Sequence, residues 1–221
     1  MVALVWDEVG ERTYETGVDH GVLYIPDVSG DYATGVAWNG LVSVQETPAG
    51  AEANPQYADN IKYLNLLSAE TFGATLEAFT YPPEFNQFDG LGSNIAVPGL
   101  TIGQQNRKIF GLVYRTLHGN DVEGNAYGYK LHLVYGAVAS PSEKAYNTVN
   151  DSPEPITFSW EITTTPVPVT GYAPTSLLVV DSTTADADAL ALLETQLFGS
   201  GVVTANLPTP DEVITLLTPT P

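Results

Sequence analysis

Two stretches of strict alternation constrain this chain more than anything else in it. In YGYKLHLVYGAVAS, 127–140, Tyr129, Leu131, Leu133 and Tyr135 share one side of an extended backbone. In ITFSWEITT, 156–164, Ile156, Phe158, Trp160 and Ile162 do the same. A period of two is the signature of a half-buried strand, because successive side chains leave a pleated backbone on opposite faces. Each stretch therefore has a core side and needs a sheet, and the polar connector between them leaves that sheet without any obvious reactive constellation.

The remaining pattern extends the sheet. β-Branched and aromatic residues bounded by Gly, Asp and Asn predict strands at 21–25 and 35–45, with Asn39-Gly40 as a turn or bulge. The segment 47–60, dense in Gly, Pro, Asn and Ala, reads as a long loop before a strand at 61–67. In 71–81, Phe72, Ala74, Leu76 and Ala78 fall on one side and Thr71, Thr75, Glu77 and Phe79 on the other, a strand with mixed faces that Pro82-Pro83 stops before one helical turn. A Gly-rich connection at 89–105 precedes a strand at 109–117, whose core side is Phe110, Leu112 and Tyr114. That strand is expected to pair antiparallel with the strand at 127, through a loop too long for a tight hairpin.

Past Thr165, prolines demote 165–176 to non-central structure, and 176–180 is the next strand. Helix is expected over 184–198, where Leu190, Leu193 and Leu197 recur at three and four, Asp186 and Asp188 occupy the first turn and Gly199 follows. A second, short helix is signalled by Thr209-Pro210-Asp211-Glu212, a capping box with proline at the first helical position. Its apolar patch, Val213, Ile214, Leu216 and Leu217, is expected to dock onto something else. The organisation is thus one mainly β domain over 1–199, opening with an arm or short edge strand in 1–16, and a C-terminal arm over 200–221. No solenoid or propeller repeat is present.

Charge narrows function. Twenty-six acidic against seven basic residues give a net charge of -19, which opposes attraction to phosphate backbones and anionic membranes. Cysteine is absent, so disulfides, thiolate metal sites and cysteine nucleophiles are excluded. No apolar run is long enough for a membrane helix, and the N-terminal segment lacks a signal-peptide pattern; cytoplasmic synthesis is the expectation.

Catalytic chemistry finds little support. His20, His118 and His132 are the only near-neutral titrating side chains. Asp19 and His20, as strand neighbours, are expected on opposite faces, and His132 shares an outward face with Lys130. Zincin, nucleophile-elbow and P-loop spacings are missing, and Gly90-Leu91-Gly92 lacks a third glycine. Acid pairs suited to glycoside hydrolysis carry no specificity among so many carboxylates. Asp186 and Asp188 lack the calcium-loop ladder. Trp6, Trp38 and Trp160 admit a sugar-stacking platform, though Trp160, flanked by Phe158 and Ile162, reads as core. No cofactor is expected. An acidic β-sandwich binding module, such as a carbohydrate-binding or adhesin domain, stays open as the alternative to a structural role.

The segments YETGVDHGVLY, GVAWNGL, GAEANPQYADNIKY, TIGQQNRKIFGLVYRT and SPSEKAYNTVNDSPEPITFSWE resemble the major tail protein, or tail tube protein, of long-tailed bacteriophages, and the likeness covers most of 1–199. The resemblance implies a β-sandwich or split barrel with one flanking α-helix and extended arms, related to type VI secretion tube proteins. It also implies a virion component assembling as rings, usually of six copies, stacked into a tube for genome delivery. The tape measure, distal tail and tail terminator proteins would be its partners, and DNA would pass without specific binding.

Under the same resemblance, 50–63 is the long loop that reaches the adjacent ring, and Glu52, Asn54, Tyr57, Asp59 and Lys62 are contact candidates together with the patch at 213–217. Glu46, Glu70 and Glu77 are candidate lumen acids. Four strands from each of six subunits, spaced ~4.8 Å and tilted by roughly 40°, give a backbone diameter of about 48 Å and a bore of roughly 35 to 40 Å.

Overall fold

The computed structural model describes residues 3–92, 97, 99–149, 151 and 154–218. Its strands are β1 (Thr13–Ile25), β2 (Thr34–Trp38), β3 (Leu41–Glu46), β4 (Ala53–Ala58), β5 (Ile61–Leu67), β6 (Gly73–Ala78), β7 (Phe110–Asn120), β8 (Gly124–Ala139), β9 (Phe158–Thr164), β10 (Val167–Val169), β11 (Tyr172–Thr175) and β12 (Leu177–Asp181). A 3-10 turn spans Pro83–Gln87, and the helices are α1 (Ala187–Phe198) and α2 (Pro210–Leu217).

One antiparallel sheet runs in the order β2-β1-β7-β8-β9-β6-β3, with β12 also on β8. Its two end strands, β2 and β3, are joined by only Asn39-Gly40, Gly40 having φ 78, so the sheet folds back on itself as a split barrel. The long strand β8 makes the fold possible. Its middle, 130–134, pairs with β12 and its last three residues pair with β9. Gly136, at φ 60, is the switch point, since a Cβ there would lie 2.3 Å from the Thr165 carbonyl oxygen. The irregular register beside it carries one extra residue in β8 relative to β7.

Two cores result, one on each face of β1-β7-β8. Between the sheet halves lie Leu23, Trp38, Leu76, Phe85, Phe88, Phe110, Leu112, Tyr114, Trp160 and Ile162, with Phe158 packed at the margin. On the opposite face Val22, Tyr24, Val113, Leu131, Leu133 and Tyr135 meet Leu190, Leu193 and Leu197 of α1. Tyr24 donates to the Leu197 carbonyl at 2.6 Å, tying β1 to the helix end. The molecule is therefore layered as helices, β2-β1-β7-β8-β12, core, and β9-β6-β3.

Several local features differ from the sequence expectations. β7 and β8 are joined by three residues rather than a long loop, because the Asn120 side chain accepts from the Val122 and Glu123 amides and closes the turn. The 165–176 stretch forms a small β10–β11 hairpin off the main sheet. Asp186 is the N-cap of α1, accepting from the Ala189 amide at 3.0 Å. The capping box of α2 forms between Thr209 and Glu212. This helix docks on its own chain: Val213 is 2% exposed within the second core, and Leu216 and Leu217 pack against it, leaving Ile214 as the outward member of the patch. The reason is geometric, since Leu207 and Tyr135, whose hydroxyl donates to the Pro208 carbonyl, bring 207–210 onto the helical face of the sheet.

Candidate assembly surfaces

Among the described residues no helix covers the outer layer β9-β6-β3. Alternation in β6 buries Ala74, Leu76 and Ala78 and turns Thr75 and Glu77 outward, opposite Ser43 and Gln45 of β3 and Ser159 and Glu161 of β9. The Ser43 hydroxyl donates to Glu77 at 2.9 Å. The open face is thus built from hydroxyls, an amide and two carboxylates, with no base among these cross-strand residues, while its reverse side is packed against aromatic rings.

The β3–β6 ladder continues outward through an Ala49–Thr71 bridge into the β4–β5 hairpin, so 47–60 is a strand entrance where the sequence suggested a loop. Asp59 and Asn60, at φ 52 and 62, form the two-residue turn whose paired positive dihedrals match strand twist. Asp59 therefore has a conformational task. Every residue of both strands is exposed, among them Asn54, Tyr57 and Lys62, and Glu52 sits at the base, where its amide donates to the Ser68 hydroxyl oxygen at 3.0 Å. Tyr57, Ile61, Tyr63, Leu66 and Leu67 are 55–71% exposed, a cluster of large apolar side chains on one hairpin of the kind that marks an interaction surface. The segment preceding β1 adds Leu4, Val5, Trp6 and Val9 at 64–78% exposure.

The sequence profile of a family described as phage tail tube protein matches residues 28–205. The chain belongs to the phage tail tube protein family. Among curated proteins none matches it in sequence. Two solved structures share 10% identity with it. One, the 6-fold symmetrised cryo-EM structure of the anti-feeding prophage baseplate, has a chain aligning over 80% of this one and 97% of its own length, TM-score 0.36. The other, an extracellular contractile injection system, PVC sheath-tube complex in the extended state, aligns over 73% and 88%, TM-score 0.34.

As a phage tail tube protein the chain is a structural tail component rather than an enzyme, and its histidines fit that role. His132 is not outward: it is 7% exposed, stacked on Tyr114 at 4.6 Å and 9°, with Nδ1 3.3 Å from Glu46 and Nε2 3.0 Å from the Thr116 hydroxyl. Its face of β8, shared with Val134 and paired with Tyr114 of β7, is the barrel interior, where Glu46 of β3 also accepts from the Tyr114 hydroxyl at 2.6 Å. Burial holds the imidazole below its ordinary value against the opposing pull of Glu46 and Glu15. Asp19 and His20 do meet, at 3.0 Å, because His20 takes φ 50 in a bulge of β1. Among the described residues no group of acids and histidines is arranged to hold a metal, and no helix is long and apolar enough to cross a membrane.

The few bases are mostly consumed internally. Arg115 clamps Asp19 with two bonds of 2.7 Å, an arrangement that lowers the Asp19 carboxyl below its ordinary value. Lys130 binds Glu15, Arg12 approaches Asp121 at 3.9 Å, and Arg107 and Lys144 converge on Asp89 at 3.4 and 2.5 Å. Of the candidate lumen acids, Glu77 lies on the open face, Glu70 is exposed beside the hairpin base, and Glu46 points into the barrel end toward Tyr114. Glu161 on the open face was not singled out from sequence, although its alternation with Trp160 and Ile162 marks it as outward.

Proposed function

We propose that this tail tube protein polymerises as stacked rings into a tube, and that the open face of β9-β6-β3, continued by the last residues of β8, forms the inner wall. The tube is then a negatively charged conduit through which the genome passes into the host. The observation that carries this reading is the face itself. One side of the sheet is packed against the core, yet the other bears polar side chains with Glu77 and Glu161 and, among the described residues, lacks a helical cover.

Such a wall suits transit rather than binding. Non-specific DNA affinity arises from cationic side chains releasing condensed counterions, and carboxylates supply none of that free energy. With five of seven bases held by acids of the same chain, little cationic surface remains to oppose the field of the net charge of -19.

The absence of cysteine permits a direct test. A Glu161→Cys variant should react with a small maleimide before and after assembly. A maleimide carried on a particle wider than the bore of roughly 35 to 40 Å should label only dispersed subunits. Equal labelling of tubes by the particle would place this face outside and overturn the wall assignment.

A further inference from the structure

Beside Asp89 two cations meet one acid. An open cavity of about 520 Å³ lies there, and the charged groups lining it are Asp89, Arg107 and Lys144. Arg107 and Lys144, each with a side chain 22% exposed, converge on a carboxylate that is 4% exposed and neutralises only one of them. A chain of net charge -19 thus keeps an excess of one positive charge in a partly dehydrated cavity. The Arg107 guanidinium is only half used. Its Nη1 makes every bond, donating to the Ala139 and Phe88 carbonyls at 2.9 and 3.3 Å and to Asp89 at 3.4 Å. Among the described residues nothing accepts from Nε or Nη2, the edge that meets a carboxylate through two parallel bonds.

That edge runs past Gly90. A Cβ at position 90 would stand 3.4 Å from Nε and 3.5 Å from Nη2, so glycine keeps the approach open, and its φ of 73 is one that other residues rarely adopt. Ser142 lines the same cavity, and its Oγ is buried with no hydrogen-bond partner among the described residues. A hydroxyl left so carries a desolvation cost that a ligand oxygen removes. We propose that this cavity is a binding site for a carboxylate group, held by the Nε and Nη2 edge of Arg107, with the Ser142 hydroxyl as a further donor and Lys144 supplying charge. Charge and shape select the ligand class. A monoanion cancels the excess of one, whereas a phosphate dianion overshoots it beside Asp89, and a halide offers a single acceptor to a fork built for two. An acidic side chain of another protein chain and a free small acid present the same group. The site does not depend on tube formation.

Acetate is the probe. The chain has three arginines, Arg12, Arg107 and Arg115, so a proton–nitrogen correlation spectrum of the dispersed full chain holds three side-chain Nε–H resonances that substitution assigns. With ionic strength held constant by chloride, acetate should move the Arg107 resonance saturably, with a Kd of roughly 1 to 10 mM, the range that two charge-assisted hydrogen bonds support. Arg115, whose Nε already donates to Asp19, should stay in place and serves as the internal control. Ser142→Ala should weaken acetate binding about threefold or more, the loss of one neutral hydrogen bond. Gly90→Ala should abolish the response. An Arg107 resonance that acetate leaves in place, or that chloride moves equally, overturns the site, as do two variants that respond like the parent. Concentrating the protein in acetate-free buffer identifies where the group comes from. Movement of the same resonance with protein concentration, reversed by acetate, puts the carboxylate on another copy; movement with acetate alone marks a free acid as the ligand.

Discussion

The Asp89 carboxylate, 4% exposed, accepts from the Trp160 indole at 3.2 Å and from the Lys144 ammonium at 2.5 Å, so the aromatic centre of the barrel and the 140–157 connector share one buried acid. Lys144 also faces three rings, its nitrogen being 5.5, 5.8 and 6.0 Å from the centroids of Tyr81, Phe158 and Trp160. Asp89→Ala removes the charge that Lys144 and Arg107 face and should cost about 3 kcal/mol, because the remaining cations are left partly buried without compensation. It should also free the connector to proteolysis. Chemical denaturation together with limited proteolysis checks both; a parental melting curve and digestion pattern would show that the connector is held elsewhere.

Trp160 itself is fully buried among Trp38, Tyr81 and Phe85 at centroid distances of 5.2–5.6 Å. Trp160→Ala should destabilise the fold by about 3 to 5 kcal/mol through lost transfer free energy and the cavity left behind. Urea titration measures this directly, and an unchanged midpoint would remove Trp160 from the core.

Acid should weaken the fold through His132. Burial sets its folded value below the ordinary 6.5 of an unfolded chain. The unfolded state therefore binds the proton more readily, and the stability that neutral His132 contributes is complete above about 6.5 and is lost as pH falls toward the folded value. Glu46 and Glu15 favour the cation and Lys130 disfavours it, so the slope is the residue of opposing effects. The thermal midpoint should drop between about pH 7.5 and 5.5, and His132→Gln should flatten that portion of the profile. The same slope in the variant would assign it to other groups.

Copies carrying a net charge of -19 repel one another over a Debye length of about 10 Å at 0.1 M salt. Raising ionic strength from about 0.01 to 0.5 M should therefore lower the critical concentration for assembly. Light scattering reads this. A critical concentration that rises with salt would mean that ion pairs, rather than apolar faces, hold the copies together.

Most of the main sheet was legible because its strands alternate cleanly: Phe110, Leu112, Leu131, Leu133, Trp160 and Ile162 are all buried as their period of two requires. The helices were legible from their caps and leucine spacing, but the destination of α2 was not, since amphipathicity says that a face is covered without saying by what. The β4–β5 hairpin was misread because its first strand carries Pro55 and Ala residues of low strand propensity; the Asp59-Asn60 pair was the available turn signal. His20 and His132 were misplaced for different reasons. A bulge in β1 re-aims His20, whereas β8 keeps its alternation at His132 but is buried on both faces, the side shared with Val134 being the barrel interior. The Asp89 junction was invisible because its partners lie 18 to 71 positions away.

The most direct measurement is negative-stain electron microscopy of the purified full chain across a concentration series, with mass by light scattering on the same samples. The account predicts a concentration threshold above which hollow rings and stacked tubes form, with a bore of roughly 35 to 40 Å. Monomers persisting at every concentration and ionic strength, or assemblies without a bore, would contradict it.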